Sequence, residues 1–265
     1  MADTTELGTL LYERNGHVAI IRLNRPDRMN TIGSTMKADL ASAFDLAKDE
    51  SARCVIITGV GERAFCAGAD IKERAELIPT NHGYHIEQRD THALFRKIEM
   101  FEAPVIAAIN GVALGGGLEI ALCCDVRLAA ERARLGLPEV KLGALPAAGG
   151  TQRLPRTVGV SKALEMVFTA DMIDADEARR IGLVSRVTAN DMLEAEALAM
   201  AQKIAALPPL AIRFAKHSIR TGSELSIDQG LEIERYAAAM LVDTEDRKEG
   251  MRAFVEKRAP NFIGA

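Results

Sequence analysis

Three consecutive glycines between an apolar segment and a helical pattern constrain this 265-residue chain more than any other feature. The apolar residues Pro104–Ile109 are typical of a buried strand, and Leu118–Cys124 are typical of a helix. Glycine at the start of a helix costs backbone entropy and supplies no side chain. Gly115, Gly116 and Gly117 therefore indicate that a ligand atom approaches bare N–H groups at the positive end of a helix.

Glu119 follows these glycines and is the first candidate for a functional side chain. It lies three residues after Gly116, so both face the same side of the first helical turn. An acidic residue is also favoured there by the helix dipole alone, which is the structural alternative. However, Glu119 is the only charged residue between Glu102 and Asp125. A carboxylate in such an apolar run is expected to be buried, and buried carboxylates are seldom tolerated unless they are paired or functional.

Two further glycine-containing segments hold candidate residues, each with a structural alternative. In Arg63–Lys72, small residues around Gly68 permit backbone contact with a ligand. On its own, that segment is better explained as a tight turn in which Asp70 caps the next helix. In Leu135–Gly143, Glu139 stands beside a proline between apolar residues. Either a site carboxylate or the start of a helix explains Glu139 equally well.

Strands and helices alternate through the first part of the chain, which predicts an α/β core. Strands are expected at Val18–Leu23, Cys54–Thr58, Pro104–Ile109 and Val126–Ala129, with a brief strand at Val184–Val187. Helices are expected at Thr35–Lys48 (opened by Ser34), Tyr84–Glu102, Asp176–Ile181 and Asp191–Ala206.

Three further helices are expected after Leu207, at Leu210–Arg220, Ile227–Leu241 and Asp246–Lys257. Alone, three helices in so short a segment would have only a thin core. We therefore place a boundary between an α/β core, residues 1–206, and a helical C-terminal segment, residues 207–265. The helices are expected to pack on the core or on another subunit.

Composition and charge argue against several classes of protein. A hydrophobic content of 48% and a charged content of 26% are ordinary for a globular protein. The net charge of −4, with dispersed Lys and Arg, argues against nucleic acid or an anionic membrane as a partner. The apolar stretches are too short to span a bilayer, and Met1–Thr9 resembles neither a secretory signal nor a transit peptide.

The cysteines and histidines do not indicate a metal site. Cys54, Cys66, Cys123 and Cys124 lack zinc-ligand spacing and are expected to be reduced core residues of a cytoplasmic protein. His82, His85 and His92 lie near one helical face, but no acidic or cysteine partner stands at ligand spacing. We expect surface histidines and no bound metal.

In this order and spacing, the three glycine-containing segments resemble the crotonase superfamily, the enoyl-CoA hydratase/isomerase family. The resemblance runs essentially from end to end. Its motifs are FCAGADIKE at Phe65–Glu73, NGVALGGGLE at Asn110–Glu119, LPEVKLG at Leu137–Gly143 and GGTQRLPR at Gly149–Arg156. Within the family, the chain is most similar to hydratases, including those acting on methyl-branched glutaconyl-CoA. It departs from many members at Ala147-Ala148, where they carry a glycine-rich run.

The resemblance implies a crotonase-like spiral of ββα turns with a helical C-terminal trimerisation region, and trimers that commonly pair into hexamers. It implies an oxyanion hole formed by the N–H groups of Ala69 and Gly116, and a catalytic pair formed by Glu119 and Glu139. Coenzyme A is implied as part of the acyl-CoA substrate, with no separate cofactor. The coenzyme-binding residues that it implies are Ala67, Ala69, Asp70, Ile71, Lys72 and Lys257, the last often acting from a neighbouring subunit.

Hydration of an enoyl thioester explains this combination of groups. Water can attack the β-carbon only if the enolate oxygen is stabilised, which two fixed N–H donors achieve. Two carboxylates around one water can then activate it and protonate the α-carbon, with Glu139 delivering that proton. Acidic residues at both positions favour a hydratase. The alternatives are an isomerase or a thioester hydrolase on the same scaffold, or an RNA-binding relative of the methylglutaconyl-CoA hydratase type.

Overall fold

The computed structural model describes residues 4–33, 35–77 and 80–265. Within them the strands are β1 Thr4–Leu7, β2 Leu10–Asn15, β3 Val18–Leu23, β4 Cys54–Gly59, β5 Ala64–Cys66, β6 Val105–Ile109, β7 Val112–Leu114, β8 Val126–Ala130, β9 Arg134–Gly136, β10 Ile173–Asp174 and β11 Arg186–Thr188. The α-helices are α1 Met36–Asp49, α2 Ile71–Ala75, α3 Asn81–Glu99, α4 Gly116–Cys123, α5 Gly150–Val158, α6 Val160–Thr169, α7 Ala175–Arg180, α8 Leu193–Ala205, α9 Pro209–Gly222, α10 Ile227–Met240 and α11 Glu245–Glu256. Short 3-10 helices lie at Pro26–Arg28 and Glu139–Leu142.

The strands of the described chain form two sheets along one spiral path. The larger sheet has the order β1-β2-β3-β4-β6-β8-β11, and the smaller has the order β10-β9-β7-β5. β4, β6 and β8 are parallel neighbours in the larger sheet, whereas the next strand after each, β5, β7 or β9, lies in the smaller one. One or two helices follow each such pair of strands. This ββα repeat confirms the predicted crotonase-like α/β spiral.

Burial on both faces explains the composition of the central strands. All residues of β4 (CVIITG) and β6 (VIAAI) are buried, without the alternation of a half-exposed strand. One face of the larger sheet packs against α8, where Leu193, Ala197 and Ala201 join a cluster with Ile56 and Ile106. The main core lies on the opposite side, among the two sheets and helices α1, α3 and α4.

The predicted long elements are confirmed with small shifts at their ends. The five predicted strands correspond to β3, β4, β6, β8 and β11, and the three predicted C-terminal helices to α9, α10 and α11. The helix predicted at Thr35–Lys48 is α1, but its proposed cap, Ser34, lies outside the described residues. The division of the chain at residue 207 stays a prediction.

All four cysteines are free and buried, which confirms their prediction as reduced core residues. Burial raises the pKa of the Cys54, Cys66 and Cys124 thiols to about 12, so they are poor nucleophiles near neutral pH. In the part of the chain that the structure covers, no helix has both the length and the apolar character needed to cross a membrane.

The close approach of α4 to β5 requires the third glycine of the run. A Cβ on Gly117 would lie 2.0 Å from the carbonyl oxygen of Cys66. We expect Gly117→Ala to lower the free energy of unfolding by about 1–3 kcal/mol, the usual cost of overpacking, as measured by urea denaturation. Gly250→Ala in α11 is the matched control, because its Cβ would meet Phe262 at an ordinary 3.5 Å and alanine favours a helix. Equal losses in the two variants would contradict this account.

Candidate active site

The three glycine-containing segments meet at one cavity of about 230 Å³. It is lined by Ala67, Gly68 and Ala69 from the first segment, by Gly115, Gly116 and Glu119 from the second, and by Pro138 and Glu139 from the third. Segments far apart in sequence therefore contribute backbone donors and carboxylates to one space.

The N–H group of Ala69 is directed into this space by a single β-bridge to Ile32. Ile32 donates to the carbonyl oxygen of Gly68 at 2.8 Å, and Asp70 donates to the carbonyl oxygen of Ile32 at 3.1 Å. In such a parallel bridge, the residue between the two bonded groups directs its own N–H away from the partner strand. The Ala69 N–H therefore points away from Ile32.

Gly116 lies beside Ala69 and is the first residue of α4, so its N–H has no acceptor within the helix. A Cβ on Gly116 would lie 4.0 Å from the Ala69 nitrogen, which shows how close the two backbones approach. Among the described residues, neither the Ala69 nor the Gly116 N–H donates a hydrogen bond. The structure thus brings the two predicted oxyanion donors together with their N–H groups available.

Glu119 is buried in the first turn of α4 with only 3% of its surface exposed, as the apolar run predicts. Its Oε1 accepts a hydrogen bond from the N–H of Gly150 at 2.7 Å. Burial raises the pKa of Glu119 from its ordinary 4.5 to about 7, and the charge of Glu139 adds to this, while backbone groups of Gly150 and Ala148 and the charge of Arg153 oppose it. A carboxyl group with a pKa near neutrality can both take up and release a proton.

Glu139 begins the 3-10 helix Glu139–Leu142, so the structural alternative of a helix start is also right. Its side chain nevertheless faces the cavity, where a Cβ on Gly115 would lie 2.8 Å from Glu139 Oε1. Oε2 is buried and has no hydrogen-bond partner among the described residues. Burial also raises the pKa of Glu139. A buried oxygen of this kind is available to a bound water or substrate.

Apart from Asp70, the residues predicted to bind coenzyme A separate into two groups. Ala67, Ala69 and Ile71 line the cavity. Lys72 is exposed on α2, and Lys257 is exposed at the end of α11. Neither lysine lines this cavity, so their contact with coenzyme A stays a prediction.

Asp70 has a structural role that matches the simpler explanation of its segment. Its carboxylate caps α2 by accepting from the N–H of Glu73 at 3.3 Å. It also pairs with Arg25 at 3.0 Å and with Arg28 at 3.1 Å. These contacts fix the start of α2 next to the Ala69 N–H. A direct contact of Asp70 with coenzyme A stays a prediction.

All three histidines are exposed, as predicted. His92 Nε2 also lies 2.6 Å from the carbonyl oxygen of Ala147 at the cavity wall. The sequence did not indicate that contact. Within residues 4–33, 35–77 and 80–265, no group of three or more His, Cys, Asp and Glu side chains could hold a metal. The absence of a bound metal stays a prediction.

Sequence reasoning missed the contribution of the turn before α5. Gly150, which donates to Glu119, and Arg153, whose charge acts on it, both lie in the GGTQRLPR motif. That motif supported the family resemblance, but it suggested no role for either residue. The available signal was the pair of glycines at the start of this motif, where Gly149 has a φ of 111° and precedes α5.

The comparison with known families decides the assignment. The model of the family described as enoyl-CoA hydratase/isomerase matches residues 13–265.

The chain belongs to the enoyl-CoA hydratase/isomerase family.

Individual members of the family cover nearly its whole length. The chain is 44% identical to a short-chain-enoyl-CoA hydratase of Clostridium acetobutylicum, over 96% of this chain and 97% of the relative. It is 43% identical to a crotonyl-CoA hydratase of Syntrophomonas wolfei, over the same shares of the two chains. The crystal structure of an enoyl-CoA hydratase from Bacillus anthracis is 41% identical, with a TM-score of 0.91 and coverage of 100% of this chain and 99% of that one.

The raised pKa of Glu119 predicts a specific dependence of stability on pH. The folded state favours the protonated carboxyl, so this contribution is present below about pH 4.5 and is lost as the pH rises through about 7. Replacing the ionisable group with an amide should remove the loss. We therefore expect the stability of Glu119→Gln relative to the parent protein to increase as the pH rises from 5 to 8. The expected gain in unfolding free energy is up to about 3 kcal/mol, which appears as a relative increase in melting temperature.

Differential scanning calorimetry at the two pH values measures this difference. Glu131→Gln, on the exposed turn after β8, is the control and should show no such trend. A Glu119→Gln variant that tracks the parent at both pH values would show that burial does not perturb this carboxyl.

Proposed function

We propose that the chain is an enoyl-CoA hydratase, which adds water across the α,β double bond of a 2-enoyl-CoA to give a 3-hydroxyacyl-CoA. The observation that carries this proposal is the convergence of Glu119, Glu139 and the two N–H groups of Ala69 and Gly116 on one cavity. Coenzyme A enters as part of the substrate, and we propose no further cofactor. The names of the two similar hydratases are consistent with this reaction.

In the proposed reaction, the thioester oxygen accepts hydrogen bonds from the N–H groups of Ala69 and Gly116. Negative charge develops on that oxygen when water attacks the β-carbon. Backbone donors already fixed by a β-bridge and a helix start need no reorganisation to stabilise it, and one such donor is typically worth roughly 100- to 1,000-fold in rate. The dipole of α4 adds to this effect.

The two carboxyl groups then share the proton transfers. Glu119, held by the Gly150 N–H, takes a proton from the attacking water as the oxygen bonds to the β-carbon. Glu139, in its protonated form, delivers a proton to the α-carbon, so one water is added in total. A proton then passes from Glu119 to Glu139 through a newly bound water, which restores both groups for the next turnover. Burial favours the neutral form of each, and their mutual repulsion favours a state in which only one is ionised.

A short acyl group fits the space beside the carboxyl groups, which shares Tyr84, Gln88 and Leu145 with a larger open cleft of about 1280 Å³. About 230 Å³ is a small space for a ligand, and Phe95, Leu142 and Leu145 form part of an apolar wall. Crotonyl-CoA is therefore the appropriate first substrate.

We expect the parent protein to convert crotonyl-CoA to 3-hydroxybutyryl-CoA, followed by loss of the ultraviolet absorbance of the conjugated thioester and by chromatography of the product. Glu119→Gln and Glu139→Gln should each lower kcat by at least about 100-fold, because each removes one proton-transfer group. Glu131→Gln should retain full activity, since this side chain is exposed outside the cavity.

Near-normal turnover in either cavity variant would contradict the two-carboxylate mechanism. A parent protein that leaves crotonyl-CoA unchanged but moves the double bond of a 3-enoyl-CoA would identify an isomerase instead. Release of free coenzyme A would identify a thioester hydrolase.

We further propose that the protein is a cytoplasmic homotrimer, or a dimer of trimers, assembled through its C-terminal helices. Large apolar side chains on α10 and α11 are uncovered in the single chain, including Ile227 at 75% and Phe254 at 85% exposure. Exposed apolar patches of this kind mark protein interfaces. Lys257 ends α11, so such an assembly is consistent with its predicted reach to a neighbouring coenzyme. Free, buried cysteines support a reducing compartment.

Phe254→Glu should shift the protein towards monomer, because it places a charge on the proposed interface. Sedimentation velocity measures the distribution of species. Lys203→Glu, which changes an exposed side chain on α8, should leave the assembly intact. A parent protein that sediments as a monomer would contradict the proposal.

A further inference from the structure

Arg153, on α5, connects Glu99 of α3 to the turn that contacts Glu119. Its Nε and Nη2 donate to the two carboxylate oxygens of Glu99, on α3, at 3.1 and 2.9 Å. This is the two-point geometry that makes arginine–carboxylate pairs strong and directional. Glu99 is only 7% exposed, so water screens the pair weakly.

The remaining guanidinium nitrogen of Arg153, Nη1, contacts the turn that holds the proposed catalytic carboxyl. Nη1 donates to the carbonyl oxygen of Ala148 at 3.3 Å, and a Cβ on Gly149 would lie only 1.9 Å from Nη1. The guanidinium therefore packs on bare backbone at residues 148 and 149. The next residue, Gly150, donates its N–H to Glu119 Oε1.

Glu99 is itself fixed from the C-terminal segment. Arg220, on α9, has Nη1 3.6 Å from Glu99 Oε1, and its Nη2 donates to Asp125 at 2.9 Å. Arg96, on α3, pairs with Glu99 Oε2 at 2.9 Å from the more exposed side. Glu99 thus forms ion pairs with three arginines. Of these three, Arg153 is the one that also contacts the turn before α5.

We propose that Arg153, anchored by Glu99, is a positioning residue for the hydration reaction: it fixes the turn of residues 148–150 so that the Gly150 N–H orients Glu119, and it holds a positive charge behind that carboxyl. This inference rests on the proposed function. It assigns Arg153 no contact with the reacting atoms: Arg153 lines the adjoining cleft of about 1280 Å³ and not the 230 Å³ cavity that holds both carboxyl groups.

The charges around Glu119 determine whether replacing Arg153 or Glu99 raises or lowers the pKa of Glu119. Glu139 faces it from the 3-10 helix, Arg153 from α5, and the protonated thiol of Cys123 lies one turn along α4. The charge of Arg153 lowers the pKa of Glu119, and Glu99 partly neutralises that charge. Removing Arg153 should therefore raise the pKa of Glu119, whereas removing the charge of Glu99 should lower it.

The test uses Arg153→Met, Arg153→Lys and Glu99→Gln, with Arg96→Met as the matched control. We expect kcat for crotonyl-CoA to fall about 10- to 100-fold in Arg153→Met, because the catalytic group is misplaced. The titration of Glu119, measured by carbon-13 NMR of labelled glutamate with Glu119→Gln for assignment, should move up in pH in Arg153→Met and down in Glu99→Gln. The acidic limb of the kcat/KM profile should move with it.

Arg153→Lys keeps the charge and should keep the titration close to that of the parent, although it loses the two-point bond and part of kcat. Arg96→Met removes an arginine from the same carboxylate and should change neither readout. The proposal would be overturned if the titration of Glu119 shifted in the same direction in Arg153→Met and Glu99→Gln. It would also be overturned if the titration shifted in neither variant.

The NMR titration is made without substrate, so it tests Arg153 even if crotonyl-CoA is not hydrated. Loss of the proposed function would appear as an inactive parent protein, whatever the titrations show. If Arg153→Met fails to fold, the Glu99→Gln and Arg153→Lys titrations still decide the sign of the coupling.

Discussion

The pairing of β5 with β7 is the contact on which the site depends. These two short parallel strands end at the same edge of the smaller sheet, and each runs into a turn that opens a helix. The turns therefore lie against each other, with Ala69 in one and Gly116 at the start of the helix that follows the other. The bridge from Ile32 and the positive φ of Gly68 then direct the Ala69 N–H into the same space as the N-terminus of α4. Sheet topology, not a side chain, creates the pair of donors.

Burial of Glu119 has an energetic cost that the surrounding elements offset in part. A buried carboxylate is unfavourable unless hydrogen bonds or a positive charge compensate it. Here the Gly150 N–H and the charge of Arg153 oppose desolvation without cancelling it, so the pKa stays near neutrality. A full ion pair would hold the group permanently ionised, and an apolar pocket alone would hold it neutral. Arg153 is instead shared with Glu99, which limits its effect on Glu119.

The sequence predicted the long elements and the carboxylates because their signals are local. Buried runs such as Val105–Ile109 and the single charge at Glu119 can be read without knowledge of the fold. The strands β5, β7, β9 and β10 have only two or three residues each, which is too short for a hydrophobic period to appear. Yet they bring the donors together, and only the family resemblance indicated that arrangement.

Residues that act through tertiary contacts were similarly hidden. Nothing in the spacing of Glu99, Arg153 and Arg220 indicates that they meet, since they lie on α3, α5 and α9. Asp70 shows the reverse case, because its neighbours alone predicted a helix cap and the structure contains that cap.

In the proposed mechanism, the location of the donors on the backbone separates stabilisation of the thioester oxygen from contact with the acyl group. The N–H groups of Ala69 and Gly116 contribute regardless of side-chain identity, provided that Gly68 and Gly116 keep the close approach. The opposite wall is formed by side chains such as Tyr84, Gln88 and Leu145, which can change without altering the donors. In the proposed hydration, reaction type and substrate size would therefore depend on different parts of the chain: the first on topology and two carboxyl groups, the second on side chains on α3 and in the loop before α5.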